Sequence, residues 1–209
     1  MEEETVKTRV VLLLSGGLDS AVAYRVLEDR GFEVYPLFID YEQKTKDQEY
    51  AAAYRLVGNT LKVFKISGLC ASTSCDLFSG KNSLRAELHA RNYIFLTMAI
   101  PYAKHVGATY VSLGIITDLL SDQEEFKDVG ADFIDIASQL LNSYDLALSV
   151  PLYELNKITV LRLAKNFGLD WKKTYSCLLA EDPCGVCSNC KERAFAESLL
   201  DREVQSVRK

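Results

Sequence analysis

Four cysteines, Cys177, Cys184, Cys187 and Cys190, crowd into fourteen positions late in a 209-residue chain, spaced C-x6-C-x2-C-x2-C. Two-residue gaps let both thiolates of a pair reach one metal ion, and four thiolates make the tetrahedral set favoured by structural Zn²⁺. Gly185 follows the second cysteine and permits a tight turn. An all-cysteine site leaves no open coordination position, so its ion would organise the fold and do no chemistry. On spacing alone a four-iron–four-sulfur cluster is the rival. Disulfides have no secretory context to favour them. Cys70 and Cys75, in a polar and irregular stretch, read as ordinary free thiols.

The second constellation is Ser15-Gly16-Gly17-Leu18-Asp19-Ser20. It lies between an apolar run and a stretch of helical spacing. Glycines permit the turn, and backbone N–H groups at a helix N-terminus make an anion site. Ser15 and Ser20 add hydroxyl donors for phosphate oxygens. The pattern is not a Walker loop, because no Gly-Lys-Ser/Thr follows, and it lacks the Gly-x-Gly-x-x-Gly spacing of dinucleotide folds.

Both groups need a scaffold. Residues 10–14 are wholly apolar and read as a buried parallel strand. Helical spacing follows over 18–30, a strand over 33–39, a helix over 46–57 and a strand over 61–66. That β-α-β-α-β order demands a parallel sheet with crossover helices. Residues 68–87 are irregular. A helix is expected over 91–106, a strand over 109–114, an acidic loop over 117–128 and a helix over 131–144. A last short strand over 148–151 and a helix over 158–167 complete the pattern. From Trp171 onward periodicity fades. The expectation is one doubly wound α/β domain over 1–170 and a four-cysteine appendage over 171–209.

Composition narrows the function classes. No apolar run approaches the roughly 18 residues of a membrane span, and the N-terminus is acidic where a secretory signal is basic then apolar. A cytoplasmic location is expected. With 24 Lys+Arg against 29 Asp+Glu, the chain has no dense basic stripe of the kind that grips nucleic acid. A small-molecule substrate is favoured.

The glycine loop resembles the SGGxDS signature of the PP-loop ATP pyrophosphatases. That resemblance implies cleavage of ATP between its α and β phosphates and transfer of AMP to a substrate oxygen. Asp19 would help hold the Mg²⁺ that bridges the phosphates. In a doubly wound fold ATP lies at the carboxyl ends of the strands. Leu14, Ser15, Gly16, Gly17, Leu18, Asp19 and Ser20 would therefore line the nucleotide site, joined by Asp40 and Tyr41 after the second strand.

With the cysteines added, nearly the whole chain resembles the 7-cyano-7-deazaguanine synthase family of the queuosine pathway. The family's Asp-Tyr-x-Gln is matched by Asp40-Tyr41-Glu42-Gln43, and its Pro-Gly-Arg-Asn in part by His89-Ala90-Arg91-Asn92. Pro151-Leu152 with Lys157, and Thr174-Tyr175-Ser176-Cys177, match two further segments. The resemblance implies ATP-driven conversion of 7-carboxy-7-deazaguanine, with ammonia, through an amide to the nitrile. It implies Zn²⁺ on the four cysteines and a homodimer. Arg91 and Lys157 would neutralise charge as the adenylate forms. Arg91, Asn92, Asp118 and Asp128 would face the substrate.

The chain departs from the family at the arginine motif, where His89-Ala90 stand in place of Pro-Gly, and at one further segment. Where members carry Tyr-Pro-Asp-Cys-Arg, it has Phe126-Lys127-Asp128-Val129-Gly130, and only the Asp survives in register. The departures fall on the substrate side, while the nucleotide and metal sides match. An alternative acceptor, an amine on a protein or RNA, suits the altered segment. A thiolating PP-loop enzyme acting on tRNA and a non-enzymatic nucleotide-sensing subunit are further readings. The acidic surface weighs against the first, and the intact loop against the second.

Overall fold

A computed structural model describes residues 7–69, 90–116 and 129–207, with the backbone alone for 203–207. Five parallel strands form its sheet: β1 (Arg9–Leu13), β2 (Glu33–Asp40), β3 (Lys62–Lys65), β4 (Tyr110–Leu113) and β5 (Ala147–Ser149), in spatial order β3-β2-β1-β4-β5. Strand side chains alternate between faces, and both faces are covered. Val11 and Leu13 pack with Leu96, Ala103 and Phe133 beneath α3 (Arg91–Val106) and α4 (Ala131–Asn142). Val10, Leu12 and Leu14 pack on the opposite face with Val22, Leu27 and Leu161. That face is covered by α1 (Leu18–Asp29), α2 (Lys46–Val57) and α5 (Lys157–Asn166). Double burial is why the strand at 10–14 reads as an unbroken apolar run.

The expected doubly wound architecture is therefore observed, with most element ends shifted by a residue or two. β5 stops at Ser149, short of Pro151, which has no N–H for a sheet ladder. The larger correction lies at the C-terminus. Where periodicity fades after Trp171, the chain forms a 20-residue helix, α6 (Ser188–Val207). Its inward stripe is narrow: Ala196 and Leu200, one turn apart, are buried while Phe195 is 56% exposed. So thin a stripe leaves little helical signal in the sequence. Ala196 and Leu200 join the same core as Val160 and Ala164 of α5, so α6 packs on the sheet-bearing body.

The chain leaves β1 towards β2 and β3 on one side, and β4 and β5 add on the other. The order reverses between β1 and β4, and the crevice at the strands' carboxyl ends there is where such sheets bind ligands. Among the described residues no helix is long and apolar enough to cross a membrane.

Candidate active site and metal centre

A cavity of about 640 Å³ opens at that reversal. One wall is the loop from Leu14 to Ser20, and Gly114 and Ile115 after β4 form another. The loop is held from several sides. Gly16 has φ +79°, and a Cβ added there would lie 2.2 Å from the Glu49 carbonyl oxygen, so α2 backbone packs directly on it. The Tyr175 N–H donates to the Gly16 carbonyl at 2.9 Å. Ser20 Oγ donates to the Gly17 carbonyl at 3.1 Å and lies 3.1 Å from Ser15 Oγ, which accepts the Gly17 N–H. Gly17 caps α1 with no side-chain hydrogen bond. The first-turn amides of α1 thus keep the positive end of the helix for an anion.

Gly114 has a similar steric role. A Cβ there would lie 2.6 Å from Ser20 Cα, so the end of β4 slides against the start of α1 only because the side chain is missing. Its importance was not legible in the sequence, because the close approach joins elements almost a hundred positions apart.

Most of the expected nucleotide residues line the cavity. Ser15, Gly17, Leu18, Asp19, Ser20 and Leu14 do, as does Tyr41; Gly16 instead faces α2. Asp40 is buried, and its carboxylate accepts the Glu42 N–H at 3.1 Å, with Lys46 Nζ 3.9 Å away. It shapes the turn after β2 and is absent from the described cavity wall. Gln43 pins the same turn: its Oε1 accepts the Tyr41 N–H at 2.9 Å and its Nε2 donates to Glu49 Oε2 at 2.9 Å. Burial pushes the Glu49 carboxyl above its ordinary pKa, although bonds from Gln43 and Thr45 and the charge of Arg91 oppose this. Arg91 and Asn92, in the first turn of α3, reach the cavity from the opposite side.

Lys157 is the first residue of α5, which is started by Asn156 accepting the Thr159 N–H at 2.9 Å. Its ammonium lies 2.9 and 2.8 Å from the two Asp19 carboxylate oxygens and 3.3 Å from Glu192 of α6. Burial disfavours the charged lysine, but the two carboxylates outweigh it and hold the pKa above the ordinary lysine value. Asp118 and Asp128 lie outside the described residues, as do Cys70, Cys75 and His89.

The cysteines converge. The sulfurs of Cys177, Cys184, Cys187 and Cys190 all lie within 4.8 Å of one another. A tetrahedron with edges no longer than that keeps its centre within about 2.9 Å of each sulfur, room for one ion at a Zn–S separation of roughly 2.3 Å. A cube of four irons and four sulfides does not fit inside it. Backbone N–H groups already face the sulfurs: Leu179 and Cys184 to Cys177 at 3.5 Å, Cys187 to Cys184 and Cys190 to Cys187 at 3.4 Å. Burial pushes the Cys177 thiol up, but the N–H donors win and bring it to about 6. Burial and the neighbouring sulfurs push Cys190 up to about 12. Four clustered thiolates repel, and a divalent cation among them removes that cost.

This centre is tied to the cavity by Tyr175, which the motif reading quoted without a role, and by residues of α6 that it passed over. Tyr175, two positions before Cys177, holds Gly16, and its hydroxyl donates to the Ala180 carbonyl. Arg193 of α6 donates to the Trp171 carbonyl at 2.7 Å and the Thr174 carbonyl at 3.1 Å. Asn189, Glu192 and Arg193 all line the cavity. Their spacing of three and four puts them on one helix face, a signal visible only once 188–207 is known to be helical.

The chain is similar to proteins of assigned role. A family model described as "Queuosine biosynthesis protein QueC" matches residues 9–199. A 7-cyano-7-deazaguanine synthase from Trichodesmium erythraeum is 30% identical over 214 residues, covering 90% of this chain and 95% of the relative. A protein of the same name from Cyanothece sp. (strain PCC 7425) is 31% identical over 227 residues, covering 92% and 97%. Among solved structures, a predicted subunit of tRNA methyltransferase from Methanocaldococcus jannaschii superposes with a TM-score of 0.52. It is 16% identical with 76% of each chain covered, a likeness of fold alone.

Proposed function

The chain belongs to the family of the queuosine biosynthesis protein QueC, and from that premise we propose that it is an ATP-dependent carbon–nitrogen ligase acting on 7-carboxy-7-deazaguanine. The observation that carries this reading is one cavity holding an anion-binding loop at the head of α1 together with the cation of Lys157. A carboxylate is a poor electrophile. Attack of its oxygen on the α phosphorus of ATP expels pyrophosphate and leaves an acyl adenylate. Ammonia then adds to the acyl carbon and AMP leaves, giving the amide. Activation of the amide oxygen by the same chemistry, with loss of AMP and protons, gives the nitrile.

The residues divide this work. The Gly17 and Leu18 region with Ser15 and Ser20 cradles phosphate oxygens through N–H and hydroxyl donors. Lys157 and Arg91 offset negative charge as the adenylate forms. Asp19 is the carboxylate that would hold Mg²⁺, which supplies charge neutralisation on the phosphates when bound. Arg91 and Asn92, with Asp118 and Asp128, are the substrate-side groups, and Tyr41 borders the nucleotide. Cys177, Cys184, Cys187 and Cys190 would hold Zn²⁺, whose contribution is to the fold around Tyr175 and α6. By family resemblance the working unit is a homodimer.

A second reading is favoured by one observation, the Phe126-Lys127-Asp128-Val129-Gly130 segment that replaces the family's substrate-side motif. In it the acyl group passes to an amine on a protein or RNA in place of ammonia. One experiment separates the two. Purified protein is incubated with ATP, Mg²⁺, 7-carboxy-7-deazaguanine and ammonium, with Asp19→Ala as control, and pyrophosphate, AMP and deazaguanine products are followed by mass spectrometry. Amide and then nitrile, absent in the variant, support the first reading. Pyrophosphate release with the deazaguanine held as its adenylate, or a reaction that stops at the amide, points to the second. Absence of both pyrophosphate and AMP with this acid removes it as the substrate.

A further inference from the structure

An ammonium has three N–H donors. In Lys157 two of them face the oxygens of Asp19, and the third faces Glu192 Oε2 at 3.3 Å. Asp19 belongs to the phosphate loop and Glu192 to the helix that begins among the metal-binding cysteines. All three side chains line the cavity. We propose that Glu192 is a positioning residue for Lys157, holding its ammonium at the cavity wall when Asp19 turns to the magnesium ion of the bound nucleotide. The inference rests on the adenylation reading above.

The physical argument is one of competition. Asp19 cannot keep both oxygens on a lysine and also serve a hard divalent cation, because ammonium and cation repel at such distances. When Asp19 turns away, Lys157 is left in a wall where its side chain is 11% exposed, and an unpaired charge there is costly. Glu192 is the second carboxylate that removes this cost. It keeps one N–H occupied and frees two for a phosphate oxygen and the reacting carboxylate. Its own place is set by Cys187 and Cys190 at the start of α6 and by Arg193, which ties α6 to residues 171 and 174. Without Glu192 the lysine depends on Asp19 alone, so lysine and magnesium contend for one carboxylate.

The test is calorimetric binding of an ATP analogue with a methylene between its α and β phosphates, titrated at increasing Mg²⁺. Wild type, Glu192→Gln, Glu192→Asp, Lys157→Met and the Lys157→Met/Glu192→Gln double variant are compared. Glu192→Gln is expected to raise the half-saturating Mg²⁺ about tenfold, the scale of one charge-assisted bond. Glu192→Asp recovers most of that rise, and metal content and melting temperature stay at wild-type values. On the Lys157→Met background the Gln substitution adds nothing, because no ammonium remains to be held. An unchanged Mg²⁺ requirement in Glu192→Gln overturns the inference. So does an equal effect on both backgrounds, which would mark a general field of the carboxylate. Loss of bound metal or of the melting transition in Glu192→Gln overturns it as well, since Glu192 would then be structural. A wild-type protein that binds no nucleotide at any Mg²⁺ overturns the adenylation reading and this inference together, whereas normal binding with an unchanged requirement overturns the inference alone.

Discussion

Lys157 Nζ donates to both carboxylate oxygens of Asp19, at 2.9 and 2.8 Å, joining the first turn of α5 to the first turn of α1 across 138 positions of sequence. The pair sets a cation beside an anion site, where charge would develop in the proposed adenylation. Replacing Lys157 with Met is expected to lower kcat/KM for AMP formation by about 100-fold or more, the scale of losing one preorganised electrostatic partner. Pre-steady-state measurement of AMP release checks this, with wild-type-like circular dichroism as the control for folding.

Gly114 makes a prediction about shape. Gly114→Ala puts a methyl 2.6 Å from Ser20 Cα, against backbone that cannot rotate away. The expected cost is about 1–3 kcal/mol of stability, together with weaker nucleotide binding, because the loop is displaced. Urea denaturation and ATP-analogue titration read the two effects. A variant with wild-type values in both would mean that the end of β4 yields freely.

A metal ion on the four cysteines would be coupled to the loop through Tyr175. Chelation, or Cys187→Ser, is expected to remove a stabilisation on the order of 10 kcal/mol for the metal-bound segment. It should also loosen the Tyr175 N–H contact to the Gly16 carbonyl. Metal content by mass spectrometry, far-UV circular dichroism for α6 and nucleotide affinity should fall together. Retained affinity in metal-free protein would break the link between the two sites.

Glu49 carries a pH signature. Its folded pKa is raised above 4.5 by burial. A carboxyl with a raised folded value contributes stability below its unfolded pKa and loses it as pH rises through the folded one. Wild type should therefore lose stability relative to Glu49→Gln as pH rises from 4.5 through the raised value. Urea midpoints of the two proteins at pH about 5 and about 8 measure the difference. A gap that stays constant, or widens in favour of wild type at the higher pH, contradicts the assignment of burial as the dominant cause.

Much of the fold was legible in residue order. The apolar run before Ser15, the helical spacing after it and the repeated strand–helix alternation state a parallel sheet directly, because burial on both faces leaves an unmistakable composition. The phosphate loop was legible because its chemistry is local. Helix α6 was not, because only Ala196 and Leu200 of its described side chains are buried and the cysteines at its start dominate the pattern. The place of Asp40 after β2 was legible, but the hydrogen bond that its carboxylate accepts from the Glu42 N–H was not. A residue's position after a strand does not say which way its side chain points.

The amino-acid sequence alone determines the strand–loop–helix unit around Gly16 and Gly17 and the set of four thiols, since both depend on neighbours within a few positions. The meeting of Asp19, Lys157 and Glu192, the contact of Tyr175 with Gly16 and the passage of Gly114 against Ser20 were decided only by tertiary structure. Each joins segments that are distant along the chain, and their separation is set by how helices pack on a twisted sheet. Local residue order encodes the groups that can do chemistry; packing chooses which of them touch.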